Sequence, residues 1–247
     1  YDNLIQGYAG AMSITGTDKE NPVKSGIPIA DLGAGLYAVI GILSAIQSRE
    51  KNDSGEHVDI SMLDTQVSLL TYMATMHFLS GENPEPIGNQ HMNHVPFNSY
   101  RTSDGFIQIG VVAEDFWPSL IEALDLRQLD TEENKVRIGR LKNRENIDEA
   151  LQEVFITNTT EHWLKILQEH RVPCGPINTL SETFEDADLL KRNMIVEVLQ
   201  DSGTSVKMPG NPVKISNHDE EFRRSPKLGE HTAEIFKNWL NKDISVD

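Results

Sequence analysis

A chain of 247 residues, 38% hydrophobic and 24% charged, has the length and ordinary balance of one large or two modest globular domains. Its 22 basic and 38 acidic residues give a formal net charge of −16, which excludes a broad nucleic-acid or anionic-membrane surface, since phosphate backbones need dense Lys and Arg. A small anionic ligand stays open, because local donors and helix N-termini hold phosphates inside acidic proteins.

A single cysteine excludes an internal disulfide framework and fits a reducing compartment, the cytoplasm or a mitochondrial matrix. No apolar run reaches the ~20 residues of a membrane span. The longest, residues 32–46, is interrupted by Gly33, Gly35, Gly41 and Ser44. The sequence starts in full stride at Tyr1 with no leader pattern, which reads as the downstream portion of something longer.

Along residues 2–15, Leu4, Ile5, Tyr8, Ala9 and Met12 recur at helical spacing. A turn-rich stretch, "TGTDKENPVKSG", leads into "IPIAD", and residues 32–48 then read as a helix apolar on nearly all sides, expected to be buried. "HVDISML" alternates, with Val58, Ile60 and Met62 on one face, and predicts a strand. Asp64 is expected to cap a following helix whose apolar positions run Val67, Leu70, Met73, Ala74 and Phe78. This order suggests an α/β layer with parallel strands.

"SGENPEPIGNQHMNHVP" is rich in Gly, Pro and Asn and marks a boundary or a working loop. A hairpin follows, "FNSYRT" and "FIQIGVV" around "SDG". Helices come next, one opened by the box Asn158-x-x-Glu161 and carrying Trp163, Leu164, Ile166 and Leu167. After "RVPCGPI", a second hairpin of "MIVEVLQ" and "SVKMP" precedes a last helix at "GEHTAEIFKNWL". The pattern divides the chain into 1–80, a loop at 81–94, a smaller α+β unit at 95–190 and a return segment at 191–247.

Asp31 is the one charged residue in "GIPIADLGAGLYAVIGILSAI". A carboxylate beside so much apolar surface needs compensation. On spacing alone a helix N-cap is the preferred account, worth ~1 kcal/mol. A nucleophile is the sharper one: the helix terminus keeps a carboxylate ionised, and the small residues after it leave room for a substrate carbonyl. Gly33-x-Gly35-x-x-Ala38 matches a relaxed dinucleotide fingerprint, but Pro28 disfavours the strand that must precede it, and Asp31 would repel a pyrophosphate. His91 and His94 share a loop without a ligand cluster, so no metal is expected. Cys174 in "VPCGP" reads as a small buried hydrophobe, Trp117 and Trp163 as core, and "TEEN" and "HDEE" as solvated faces.

Several segments, in this order, resemble the class III CoA-transferase family (CaiB/BaiF), which includes formyl-CoA, carnitine-CoA and dicarboxylate CoA-transferases and the α-methylacyl-CoA racemases. They are "YDNLIQGYAGAMSITG", "G-x-P-x-x-D-L-x-x-G-L-Y-A-x-x-G-I-L-x-A-I", "SGEHVDISMLD", "GNQHMNHVP", "TSDGFIQIGV", "VPCGPINTL" and "LGEHT". The resemblance implies a Rossmann-like α/β large domain, its first βαβ segments lying before Tyr1, a smaller α+β domain, and interlocked-ring homodimers. The chain alone is then expected to be weakly active or inactive. The family's nucleophile falls on Asp31, which would pass through an aspartyl anhydride and an aspartyl-CoA thioester. Each carbonyl addition generates an oxyanion, for which helix N-terminal N–H groups near Gly33 and Ala34 are the expected donors. The resemblance also implies CoA contact at Met62 and a loop over the site at Gly88, Asn89, Gln90 and His91, through to His94.

The implied substrates are an acyl-CoA and a free carboxylic acid, closest to the succinate and glutarate type. Coenzyme A serves as substrate and product, and no tightly bound cofactor, nucleic acid or membrane is involved. The racemase branch carries a histidine where this chain has Tyr1, and tends to carry a glutamate where it has Ala113. Tyrosine, with a pKa of ~10, is a poor base for α-proton exchange. A racemase or an inactive CoA-binding fragment remain the alternatives.

Overall fold

The computed structural model describes residues 1–243. Helix α1 (Asp2–Tyr8) is followed at Gly10 by a left-handed backbone, φ 82°, that turns the chain into a short 3-10 turn over Ala11–Ile14. Helix α2 (Ile29–Asn52) starts directly after Pro28, whose ring sets φ at −74° and which has no N–H to leave unpaired. It ends at Asp53 in the left-handed region, where the Asp53 N–H reaches the Arg49 carbonyl.

Several sequence expectations fail in this helical part. Residues 57–61 form no strand, because an alternating segment becomes a strand only beside a partner ladder, and none pairs with it among the described residues. Helix α3 (Met62–Leu69) begins at Met62 instead, and its cap is Ser61, whose Oγ accepts from the Asp64 N–H at 3.3 Å. Asp64 lies inside the first turn, where a carboxylate complements the helix dipole. The helix expected to run through Phe78 breaks at Thr71, φ 51°, and resumes as α4 (Tyr72–Ser80), which Gly81 terminates at φ 73°.

The last of them concerns α2. Only Ala30 and Gly33 are buried in it, and Leu36 and Leu43 stand 67% and 60% exposed. An all-round apolar helix needs cover on every side, and among the described residues α1, α3 and the side chains of Val58 and Ile60 pack against it and leave most of its length exposed. By length and composition α2 is also long and apolar enough to cross a membrane, contrary to the run-length reading. The interrupting Gly and Ser residues fit a helix and leave its average apolar. Core helices of soluble proteins meet the same measure.

The following segment carries the main core. Strands β1 (Phe97–Arg101) and β2 (Phe106–Gly110) form the expected hairpin, with Tyr100 opposite Ile107. Helices α5 (Phe116–Leu124), α6 (Arg137–Lys142), α7 (Arg144–Phe155) and α8 (Thr160–Glu169) follow. Strand β3 (Cys174–Pro176) then pairs antiparallel with β2. Both tryptophans are core as expected, together with Ile107, Leu120, Ile147, Leu151, Phe155 and Leu167, none of the six with measurable exposure. The cap of α8 is Thr159, not Asn158: its side chain accepts from the His162 N–H. In "TEEN" the glutamates are exposed but Asn134 is buried, donating to the Leu129 carbonyl at 2.9 Å.

Buried Arg140 donates to the Val95 carbonyl at 2.8 Å, the Asn134 carbonyl at 3.0 Å and Glu114 Oε2 at 2.7 Å, and lies over the Trp117 ring. That set satisfies a charge which would otherwise be costly to bury.

The chain divides into two compact units, Tyr1–Ile177 and the residues from Asn178 onward. In the second, α9 (Leu180–Glu185) opens on a full capping box between Thr179 and Glu182, and α10 (Ala187–Lys191) follows. The predicted second hairpin forms from β4 (Ile195–Leu199) and β5 (Ser205–Pro209). Its turn is tied by Asp201 to Arg224 and to Lys227, and Arg224 in turn pairs with Glu230, holding that carboxyl down at about 2. Helix α11 (Thr232–Leu240) matches the expected last helix. Every strand pair among the described residues is antiparallel, so the parallel layer read from the sequence is absent from them.

Candidate active site

Asp31 is the third residue of α2 and its side chain is exposed. It is not the cap of its helix. The first-turn donors are taken by Asp2, at the start of α1: Asp2 Oδ1 accepts from the Ala30 N–H at 2.9 Å and the Asp31 N–H at 3.4 Å. The Ile29 N–H turns back to the Ile27 carbonyl at 2.8 Å. Asp2 Oδ2 accepts from Gln6 Nε2 at 2.6 Å, and buried Gln6 accepts from the Ser25 N–H at 2.9 Å. Helix α1 thus fixes the entry to α2 and leaves the Asp31 carboxylate uncommitted. Desolvation acts to raise the Asp2 carboxyl, but the bonds from Gln6, Ala30 and Asp31 together, with Lys24 nearby, outweigh it and hold it below its usual range.

Gly33 and Ala34 do not offer the free helix-terminal N–H groups expected of them. The first helical bond, Leu32 N–H to Pro28 carbonyl at 3.0 Å, lies before them, so their N–H groups belong to the helix ladder and not to the free first turn. Gly33 is a packing position. A Cβ there would stand 3.0 Å from the Thr65 methyl and 3.1 Å from a Leu69 δ-methyl, so its bare backbone lets α3 approach. Gly35 faces open space instead. A glycine pair inside a continuous helix, packed on one side, is also not a phosphate loop, which disposes of the dinucleotide reading. Met62 is half-buried at the start of α3, not at the end of a strand.

The loop residues are brought together, and firmly. Gly88, at φ 62°, donates its N–H to the Gly16 carbonyl at 2.7 Å. Asn89 Nδ2 donates to Ser99 Oγ at 2.6 Å, and Gln90 Nε2 to Asp148 Oδ2 at 3.3 Å. Arg144 Nη2 donates to the His91 carbonyl at 2.7 Å. The His91 ring lies 4.7 Å from His94 and 5.3 Å from Phe97, and its Nδ1 accepts from the Asn93 N–H at 3.0 Å. Burial first, then the nearby His94 and Arg144, push its pKa below the ordinary histidine value. With Nδ1 accepting, the neutral ring carries its proton on Nε2. None of these loop bonds runs to Asp31.

Two clefts flank these elements. One of about 650 Å³ is lined by Gly7, Met12, Ser13, Lys19 and Pro84 among others. The other, about 490 Å³, lies between Asn89, Asn98, Gln108, Gly110 and Cys174. Cys174 packs partly against the core, and burial raises its thiol pKa, so its environment is that of a small hydrophobe. Among the described residues no group of three His, Cys, Asp or Glu side chains could hold a metal ion. The sequence reading missed Asp2, Tyr100, Arg144 and Asp148. Of these, only the i,i+4 pair Arg144 and Asp148 left a trace, as a polar stripe beside Ile147 and Leu151.

Comparison with known proteins bears on the whole chain. A family model described as CoA-transferase family III matches residues 1–232. The human succinyl-CoA:glutarate CoA-transferase is 30% identical over 245 residues, 98% of this chain and 56% of that protein. The acetyl-CoA:oxalate CoA-transferase of Acetobacter aceti is 30% identical over 97% of this chain and 61% of that protein. The crystal structure of a CaiB/BaiF family protein from Brucella suis superposes with a TM-score of 0.81 at 32% identity, over 95% of this chain and 61% of that one. The chain therefore spans a little over half the length of these relatives, with a mixed α and β fold that they share. It belongs to CoA-transferase family III.

Proposed function

We propose that the protein moves CoA from an acyl-CoA thioester to a free carboxylic acid, with Asp31 as the covalent nucleophile. The observation that carries this reading is the state of the α2 terminus: its free donors are spent on Asp2, and the Asp31 carboxylate is exposed and uncommitted. The relatives' names, which pair succinyl-CoA with glutarate or acetyl-CoA with oxalate, support a dicarboxylate as one of the acids.

In this reading an Asp31 oxygen attacks the thioester carbonyl and CoA leaves as the thiolate, giving a mixed anhydride. The thiolate attacks the Asp31 carbonyl, the anhydride C–O bond breaks, and the first acid departs with that oxygen. The incoming carboxylate attacks the aspartyl-CoA thioester and expels thiolate again. Thiolate then attacks the acyl carbonyl of the second anhydride, releasing product thioester and free Asp31. Each addition builds an oxyanion, so donors other than the ladder N–H groups of Gly33 and Ala34 must stabilise it. The loop at 88–94 covers the anhydride, and Met62 borders the CoA moiety. The four-part division of the chain, the Rossmann-like large domain and the interlocked homodimer belong to the same proposal.

Racemisation is disfavoured, since Tyr1 and Ala113 replace the needed groups. The adjacent Glu114 is engaged as well, accepting from Arg140 at 2.7 Å and from the Arg137 N–H at 3.0 Å.

The full-length protein incubated with succinyl-CoA and hydroxylamine yields a hydroxamate at Asp31, read by mass spectrometry. Asp31→Ala lowers CoA transfer at least ~10³-fold, as loss of a nucleophile does. Transfer at an undiminished rate by that variant rejects the reading.

A further inference from the structure

We propose that Arg144 and Asp148, on one face of α7, are positioning residues that fix the 88–94 segment as a rigid wall instead of a hinged lid. The inference rests on the reading of that segment as the cover over Asp31.

Helix α7 is itself immobilised. Ile147, Leu151 and Phe155 have no measurable exposure and insert into the core of the 95–177 region. Arg144 and Asp148 stand one helical turn apart beside this apolar stripe. Asp148 is pinned from below, where the O–H of buried Tyr100 donates to its Oδ1 at 2.5 Å. Its second oxygen is therefore left in one orientation to receive Gln90 Nε2 at 3.3 Å. Arg144 reaches past it to the His91 carbonyl at 2.7 Å. On the other side of the loop, Gly88 is bonded to the Gly16 carbonyl and Asn89 to Ser99.

A segment rich in Gly and Asn is thus held at four successive residues, 88, 89, 90 and 91. Two of those ties, at 90 and 91, come from a single core helix. Charge-assisted bonds of this kind hold more firmly than neutral ones. The arrangement needs no closing step: the wall is already in place, and its task in the proposed chemistry is to keep water from the anhydride while acid and thiolate exchange.

Three variants of the full-length protein test it: Arg144→Met, Asp148→Ala and Asp148→Asn. Asparagine keeps an acceptor for Tyr100 and, with the Gln90 amide flipped, a donor for the loop. Hydrogen exchange of residues 87–94 speeds up ~10-fold or more in the first two variants, the loss of one charge-assisted bond, while exchange in β2 and α7 stays unchanged. Asp148→Asn restores most of the protection. In the same two variants hydrolysis of the acyl-CoA rises relative to transfer, with KM for the acyl-CoA unchanged. Loop exchange that is unaffected in both, or already as fast as a free peptide in the wild type, overturns the clamp. Faster loop exchange with an unchanged hydrolysis-to-transfer ratio overturns the positioning role. A wild type with no transferase turnover rejects the Asp31 reading, and the exchange data alone then decide whether the clamp exists.

Discussion

Two aspartates twenty-nine residues apart in sequence divide one helix terminus between them. Asp2 takes the first-turn N–H groups, so the cap read onto Asp31 from spacing belongs to Asp2, and the Asp31 carboxylate stays free for the chemistry proposed for it. Asp2→Ala is expected to lower thermal stability, because the Ala30 and Asp31 donors lose their acceptor; Asp2→Asn, which keeps an oxygen, recovers part of it. The pH dependence has a definite sign. The Asp2 carboxyl is depressed in the folded protein, so the unfolded chain binds its proton first as pH falls. The contribution is complete above the unfolded value near 4 and vanishes as pH drops through the folded one. Melting midpoints of wild type and Asp2→Ala should differ at pH 7 and converge below about pH 4. A gap that persists at low pH assigns the effect to packing.

Helices and hairpins with strong periodic patterns were legible from sequence. Both antiparallel hairpins stand where alternation and turn residues put them, because their ladders are local and need no distant partner. The segment at 57–61 has the same alternation and no ladder, since periodicity describes a face and says nothing about who pairs with it. The glycines of α2 show the same limit. Gly33 and Gly35 are identical in sequence terms, yet one is a contact with α3 and the other faces open space. Gly33→Ala is expected to destabilise by about 1 kcal/mol, an overpacking cost of ~1–3 reduced by the gain in helix propensity. Gly35→Ala should stabilise by ~0.5–1 kcal/mol, since nothing opposes the new methyl. Urea titration of both variants measures the pair. If Gly35 instead provides space for the thioester, its alanine variant gains stability and loses CoA transfer together.

At the scale of the molecule, the net charge of −16 and the outward face of α2 pull in opposite directions. Repulsion between like-charged chains keeps them apart. Burying apolar area returns ~25 cal/mol per Å². Leu32, Leu36, Val39, Ile40 and Leu43 are each more than half exposed along one helix, a local patch with no charge to oppose contact. Charge is spread over the whole surface and screened within ~10 Å at 0.1 M salt, so the patch dominates at short range and the 247-residue chain should self-associate. Leu36 and Leu43 are 67% and 60% exposed and seven residues apart, so they share a face and replacing them removes little internal packing. Light scattering on the eluting peak should give a mass above the 27.7 kDa of one chain. Leu36→Lys with Leu43→Lys should return it to one chain without changing the melting midpoint by more than a few degrees. Because the attraction is apolar, raising salt should strengthen association in the wild type and leave the double variant monomeric. A wild type that elutes as a monomer at all salt concentrations would remove the patch as an association surface.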